Sequence, residues 1–482
     1  MIETLDPLSE IQQLRQENHH QQLQIEKLQK QLDQLLRVIY GNKSEKFIDP
    51  KQIVLSLDIA ATPVIEIKKE TITYDRKKSS GTSNHKGRLP APDHLERREI
   101  NLPPREDITG MIKIGEEITE QLEYEPGKLF VKKYIRPKYA RPQGEGVVIA
   151  ELPSFIIDKG MAGPGLLAFI VIQKYVDHLP LYRQMGQFKR LGMEIPSSTM
   201  SDWVGKSIRE LTPLYKILKE KILSGNYLQA DETPIKVLDQ KKVHQSHRGY
   251  YWVYRDPHSG LVLFDYQKGR DREGPSEILK NFEGYLQSDG YRVYESFDKN
   301  KITLIHCMTH ARRYFDWSRK DYRDPSEHVL SEMQKLYAVE RQARENKLTH
   351  LQRYELRQKE SLPVLENLHQ WLKENIIQYP PKTLIGEAIA YSLSRWEKLM
   401  AYAGNGQLEI DNNLVENSIR PIAIGRKNYL FAGSHDAAQR AAMIYSLLGT
   451  CKLKGVEPFA WLKNVFEVLP DWKFNRIAEL LP

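Results

Sequence analysis

Leu228-Gln229-Ala230-Asp231-Glu232-Thr233 and Leu286-Gln287-Ser288-Asp289-Gly290-Tyr291 each close a short apolar run on an aspartate. Around them the chain alternates in the manner of strands. Tyr227 to Ala230, Tyr250 to Tyr254, Leu261 to Tyr266, Tyr285 to Gln287 and Ile302 to His306 are aromatic and β-branched runs, and Pro275 to Phe282 between the third and fourth is helical. Pro234 follows closely on Asp231. A central strand has no use for a residue without an N–H, so the first strand is expected to end near Asp231.

Three strands, a helix and two further strands make the order of a ribonuclease-H-like α/β sheet. In that fold the first and fourth strands lie side by side. Asp231 and Asp289 are 289 − 231 = 58 residues apart, yet they would emerge together at the carboxyl edge. A third acid, Glu416, stands in Asp411-Asn412-Asn413-Leu414-Val415-Glu416-Asn417-Ser418-Ile419-Arg420, on a predicted helix. Two carboxylates at strand ends and one on a helix can bring hard oxygen ligands to a pair of divalent metals. Such a site cuts and joins phosphodiesters. Each acid also has a plain structural role open to it: Asp231 as a strand-end cap, Asp289-Gly290 as a turn dipeptide, and Glu416 in an i,i+4 pair with Arg420.

Outward from this core (225–318 and 406–434) the chain changes period. Ser326 to Tyr402 is helical, broken at Pro363 and Pro380-Pro381, and reads as an all-helical insertion over 319–405. The tail, 435–482, is amphipathic from Ala441 through Leu462 and suits packing. Upstream, Gly163 to Ile172, Leu179 to Arg190 and Ser197 to Ile208 read as helices, the last with Ser197 or Ser198 as N-cap. Leu191-Gly192-Met193 forms a short break. Two helices meeting at a glycine turn suit a helix-turn-helix DNA-binding region over 160–222, with Lys189, Arg190 and Lys206 within reach of phosphates. An ordinary core helix pair has the same spacing.

Residues 99–155 form a small strand-rich module, alternating from Leu122 to Ile149, and 42–98 a basic linker. The linker carries Arg76-Lys77-Lys78 and Lys86-Gly87-Arg88, either solvated or touching phosphates. Over 8–41, Leu14, Ile25, Leu28, Leu32, Leu35 and Ile39 keep a three-four alternation, with Asn18 and Gln21 in the same register. This is a leucine-zipper-like coiled coil, serving dimerisation or folding back on its own domain.

Composition narrows the classes. The 482 residues are 40% hydrophobic with a formal net charge of +8, which suits a polyanion partner. No apolar run approaches the roughly 18 residues of a membrane span, and the start has no basic region followed by an apolar one. The expectation is a cytoplasmic, nucleoid-associated protein with no membrane partner. Cys307 and Cys451 are too few for a disulfide framework or a cysteine zinc site. His306-Cys307-Met308-Thr309-His310 sets two histidines four apart, but reads better as a strand entering a helix, with His310 in a supporting or core role.

Arg37-Val38-Ile39-Tyr40-Gly41 with Ser44-Glu45-Lys46, Lys174-Tyr175-Val176-Asp177-His178-Leu179-Pro180-Leu181-Tyr182-Arg183-Gln184, Ala230-Asp231-Glu232-Thr233-Pro234, Ser288-Asp289-Gly290-Tyr291, His310-Ala311-Arg312-Arg313, and Asp411-Asn412-Asn413 through Glu416 to Gly425-Arg426-Lys427-Asn428 together resemble the insertion sequence 66 family of bacterial transposases. The resemblance runs over nearly the whole chain, and Leu408 to Ser434 is its most specific part. It implies a DDE transposase whose matching acids are Asp231, Asp289 and Glu416, catalytic and metal-binding together. It implies two Mg²⁺ (or Mn²⁺) ions, double-stranded DNA as partner in the form of terminal inverted repeats and target, metal-dependent strand cleavage and strand transfer, and no covalent protein intermediate. Cutting two ends in one complex implies a homo-oligomer of at least two copies, and accessory proteins of the same element are conceivable partners. Arg420, Arg426 and Lys427 are assigned to phosphates from charge and position; Arg312 and Arg313 are phosphate contacts or salt-bridge partners.

The chain departs from the family at two places. Where a cysteine zinc module is usual it reads Arg136-Pro137-Lys138-Tyr139-Ala140-Arg141-Pro142-Gln143-Gly144-Glu145-Gly146, so no zinc is expected. Asn417 stands where an arginine is common. Two other classes compete with an active transposase: a DNA-binding protein with a catalytically decayed transposase domain, and a metal-independent two-carboxylate hydrolase. Retention of all three acids argues against the first, and indifference to chelation would mark the second.

Overall fold

The computed structural model describes residues 127–140, 147–149, 151–158, 160–238, 246–297 and 301–482. The coiled coil expected over 8–41 and the basic linker over 42–98 lie outside the described residues, as does most of the 99–155 module. The chain divides into two units, Met1–Tyr124 and Glu125–Pro482, and all that follows concerns the second. Strands β1 (Lys138–Ala140) and β2 (Val147–Ile149) pair antiparallel, Ala140 opposite Val147.

Four helices come next: α1 (Pro164–Tyr175), α2 (Leu181–Arg190), α3 (Ser197–Glu210) and α4 (Thr212–Leu223). Proline opens α1, where its missing N–H has no intrahelical partner to lose. A left-handed Gly192, φ +82, turns the chain between α2 and α3. The N-cap of α3 is Pro196, a correction to Ser197 or Ser198. The Pro196 carbonyl already accepts the Met200 N–H at 3.0 Å, so both serines lie inside the first turn and neither caps it.

The sheet has strands β3 (Tyr227–Leu238), β4 (Ser246–Asp256), β5 (Leu261–Gln267), β6 (Gly284–Ser288) and β7 (Ile302–His306) in the order β5-β4-β3-β6-β7, with helix α5 (Glu273–Ile278) between β5 and β6. The β5-β4-β3 half is antiparallel and the β3-β6-β7 half parallel. The first and fourth strands are therefore neighbours.

The first strand does not end near Asp231. It continues through Pro234, opposite Tyr250, to Leu238. The reason lies in strand parity. Backbone groups of even-numbered residues face away from β4: the Asn226 carbonyl bonds Tyr285 of β6, and Lys236 and Leu238 bond Ala432. Since β6 pairs with β3 only from Tyr227 to Gln229, Pro234 lies on an open edge where no ladder N–H is needed.

After β7 come α6 (Met308–Ser318), α7 (Arg323–Glu345), α8 (His350–Leu356), α9 (Leu362–Asn375), α10 (Leu384–Leu393) and α11 (Trp396–Met400). The interruption near Pro363 is a π-turn, Arg357–Ser361, rather than a stop: α9 continues directly from it. A further break falls at Asn346 to Leu348, where Lys347 has φ +50 and Thr349 caps α8 with Gln352 in a capping box. These helices enclose a second hydrophobic core, with Val329, Met333, Leu365, Leu368, Ile385 and Leu399 at its centre. Then α12 (Asn413–Tyr429), α13 (His435–Leu453) and α14 (Pro458–Val468) close the fold. Buried on most sides, α13 lies against β5, where the Phe264 N–H donates to Ser446 Oγ at 2.8 Å. No described helix is long and apolar enough to cross a membrane.

Candidate active site

The parallel register of β3 and β6 decides where the two aspartates stand. Tyr227 pairs with Tyr285, Leu228 with Leu286 and Gln229 with Gln287, an offset of 285 − 227 = 58. Asp231 and Asp289 have the same offset, 289 − 231 = 58, so they are level with one another just past the last paired residues. Asp289 directly follows the last residue of β6, and Asp231 lies within β3 two residues past its last pairing with β6. Asp289 is half-buried and takes the turn role. Oδ1 accepts the Tyr291 N–H at 2.9 Å, Gly290 takes φ +89, and the Tyr391 hydroxyl donates to the Asp289 carbonyl at 2.9 Å.

Asp231 Oδ1 accepts the Glu232 N–H at 2.8 Å. Burial pushes the Asp231 carboxyl up to about 8, and the charges of Glu232, Asp289 and Glu416 add to the effect. The third acid is therefore within the field of the first two.

Glu416 lies in the first turn of α12, where the helix dipole favours a carboxylate. The segment leading into that turn has no regular structure, and side chains hold it. Gln287 Nε2 donates to the Glu409 carbonyl at 2.8 Å, and Gln229 Nε2 to the Asp411 carbonyl at 2.9 Å. The Met308 N–H donates to the Ile410 carbonyl at 3.1 Å, and the Asn412 N–H to Cys307 Sγ at 3.3 Å. Glu416 Oε1 stands 3.9 Å from His310 Nε2. Burial pulls the His310 pKa down against the opposing pull of Asp289 and Glu416. His306 instead faces Glu295, with Nε2 3.3 Å from Oε1, so the two histidines of the His306 to His310 segment have different partners.

Similarity to known protein families covers most of the chain. The profile described as Transposase IS66 family matches residues 159–440, the IS66 C-terminal element matches 446–482, and a profile described as Transposase C of IS166 homeodomain matches 27–100. The chain belongs to the IS66 family of transposases. Similar proteins in Sinorhizobium fredii are Uncharacterized protein y4qI, 32% identical over 93% of this chain and 87% of its own length, and Uncharacterized protein y4hP, 30% identical over 94% and 88%. Uncharacterized protein YuaK of Escherichia coli is 43% identical over 10% of this chain and 52% of its own. Transposases cleave DNA and transfer its strands, and DDE transposases in general use divalent metal.

In this IS66 transposase the donor set of Asp231, Asp289 and Glu416 suits such a metal. All three carry hard carboxylate oxygens, and the charges of Glu232, Asp289 and Glu416 all raise the Asp231 pKa, an imbalance that a divalent cation would relieve. Among the described residues no three His, Cys, Asp or Glu side chains are gathered tightly enough to hold an ion as they stand. Repulsion between uncompensated carboxylates opposes that approach.

The basic residues separate into two kinds. Arg420 and Lys427 on α12, Arg312 and Arg313 on α6, and Arg190 on α2 are exposed. Lys189 pairs with Glu194 at 2.7 Å and Lys206 with Asp202 at 2.8 Å, both at the surface, where such pairs are weak and readily exchanged for a phosphate. Arg426 is different: its guanidinium donates to Thr233 Oγ1 at 2.7 Å and to the Pro234 carbonyl at 2.8 Å, tying α12 to the open edge of β3.

Sequence reasoning missed two arginines beside the aspartates. Arg270 donates to Glu232 Oε1 at 2.7 Å and stacks on Tyr291 at 4.2 Å. Burial raises the Glu232 pKa, and Arg270 offsets this only in part. Arg395 stacks on Tyr391 at 4.3 Å, and a Cβ at Gly290 would stand 3.0 Å from its Nε. The only local signal was the aromatic and acidic character of Asp231-Glu232 and Gly290-Tyr291.

Proposed function

We propose that this chain is an active DDE transposase that binds the terminal inverted repeats of its insertion sequence and performs cleavage and strand transfer at Asp231, Asp289 and Glu416. The observation that carries the reading is the β3–β6 register, which sets the two aspartates level with one another just past the end of that pairing. The strand order β5-β4-β3-β6-β7 supports a ribonuclease-H-like core, and α2, the Gly192 turn and α3 support a helix-turn-helix, with Lys189, Arg190 and Lys206 toward phosphates. The three-four apolar alternation of the sequence over 8–41 suits dimerisation, so that two element ends can be held in one complex.

Asp231, Asp289 and Glu416 would hold the divalent ions. Mg²⁺ or Mn²⁺, when bound, supplies activation of water or of a 3′ hydroxyl and stabilises the leaving oxygen. Each step forms one P–O bond and breaks another. Arg312, Arg313, Arg420 and Lys427 neutralise DNA phosphates around the site, and Arg426 holds α12 against β3.

The test is cleavage of a labelled duplex carrying the element's own terminal repeats, with Mg²⁺, with chelator and with Asp289→Ala. Metal-dependent nicking that Asp289→Ala abolishes while DNA binding persists is the expected result. Binding without nicking by the unaltered protein under either metal would indicate a decayed catalytic domain. Nicking that survives chelation would indicate a metal-independent hydrolase.

A further inference from the structure

Gln229 and Gln287 are register partners, each two residues before an aspartate, and Gln229 shares its strand face with Asp231. Both are fully buried. A buried carboxamide is costly unless its donors and acceptors are matched. Here they are matched almost entirely to one another and to the segment before Glu416. Gln287 Oε1 accepts from the Tyr227 hydroxyl at 2.5 Å and from Gln229 Nε2 at 2.9 Å, and Gln287 Nε2 donates to the Glu409 carbonyl. Gln229 Nε2 also donates to the Asp411 carbonyl, and Gln229 Oε1 accepts the Val415 N–H at 3.2 Å. The Tyr227 hydroxyl accepts the Glu409 N–H at 3.0 Å. Two backbone carbonyls demand donors and one N–H demands an acceptor, so the orientation of both amides follows from their partners.

We infer that Gln229 and Gln287 form an amide clasp that sets Glu416 against Asp231 and Asp289, making them positioning residues for the metal chemistry proposed above, on which this inference rests. Three like charges repel, so gathering them around cations requires a framework that holds their backbones together. The last bond of the clasp, to the Val415 N–H, ends one residue before Glu416. The other bonds hold residues 409 and 411, which have no ladder of their own. The clasp thus joins both aspartate strands and the glutamate helix through three side chains. None of the three needs to touch metal or DNA.

The experiment measures Mn²⁺ binding to the full chain by calorimetry, alongside thermal melting, terminal-repeat DNA affinity and single-turnover nicking. Gln229→Met and Gln287→Met keep side-chain length and remove the amide; Tyr227→Phe removes only the hydroxyl. Loss of a group that supports metal ligands costs about 10–100-fold in metal affinity or activity. The two Met variants should therefore bind Mn²⁺ at least about tenfold more weakly and nick more slowly, with DNA affinity unchanged and nicking partly restored by excess Mn²⁺. Tyr227→Phe should shift in the same direction by less.

A lowered melting temperature with wild-type Mn²⁺ affinity would make these ordinary core residues and overturn the inference. If the Met variants do not fold, unchanged Mn²⁺ affinity in folded Tyr227→Phe overturns it equally. Failure of the underlying reading looks different: the unaltered chain would bind no Mn²⁺ that Asp231→Asn or Asp289→Ala removes, and the inference would fall with it.

Discussion

Arg357→Met tests the charge network that holds the segment before Glu416 from the side of the helices. Arg357 and Glu340 are fully buried. Arg357 donates to both Glu340 oxygens, at 2.7 and 2.9 Å, and to the carbonyls of Tyr402, Asn405 and Leu408 at 2.8, 2.9 and 2.8 Å. Arg353 bridges Glu340 at 2.6 Å to Glu409 at 2.9 Å. Gly406 allows the close approach, since a Cβ there would stand 1.8 Å from the His350 carbonyl. Removing one partner of a buried ion pair costs about 3–5 kcal/mol. Arg353 stays on Glu340, but three carbonyls lose their donor, so the expected loss lies within that range. With a urea m-value near ~3 kcal/mol/M the midpoint falls by about 1–2 M. Arg357→Met combined with Glu340→Met removes the stranded charge, and an apolar replacement of a buried pair is often neutral. The double variant should therefore be less destabilised than the sum of the singles by more than about 1 kcal/mol. A single-variant loss under about 1 kcal/mol, or strict additivity, refutes the network as a structural unit.

Asp231→Asn should stabilise the metal-free protein, and more at pH 8 than at pH 5. The folded carboxyl is pushed up to about 8 from 3.8, so between those values the unfolded chain sheds a proton that the folded chain keeps, and stability is lost as pH rises. Equal melting-temperature shifts at the two pH values would contradict this. Glu340 has the opposite sign: burial raises its pKa, but Arg357 and Arg353 outweigh burial and hold it below 4.5. Its contribution is present above that value and disappears as pH falls through the lower folded value, so Glu340→Gln should flatten the acid limb of a stability profile that remains steep in the wild type. Arg426→Met removes two charged hydrogen bonds between α12 and β3 and should cost about 2 kcal/mol in thermal denaturation. An unchanged melt would show that α12 does not depend on them.

Much of the catalytic half was legible because its signals are local. Aromatic and β-branched runs gave the five strands, all but the end of the first within a few residues, and their order placed Asp231 beside Asp289. Where the reading failed, a distant partner had changed the local rule. Pro234 looked like a strand end, but β6 leaves β3 after Gln229, and Arg426, 192 residues away, meets the proline carbonyl on the open edge. Pro363 looked like a stop, and the chain absorbs it in a π-turn whose Arg357 is bonded to Glu340 and to the 402–408 carbonyls.

The sequence by itself determined the periods of the elements, the three acids and the family, because each depends on residues close in the chain or on motifs of fixed spacing. Only the tertiary structure decided what holds those acids together. Gln229 meets the Asp411 carbonyl across 182 residues, and Arg357 meets the Leu408 carbonyl across 51. A glutamine or an arginine has the same pattern whether it is solvated or clasped. Only the strand register and the burial that follows from it leave these side chains no other partner.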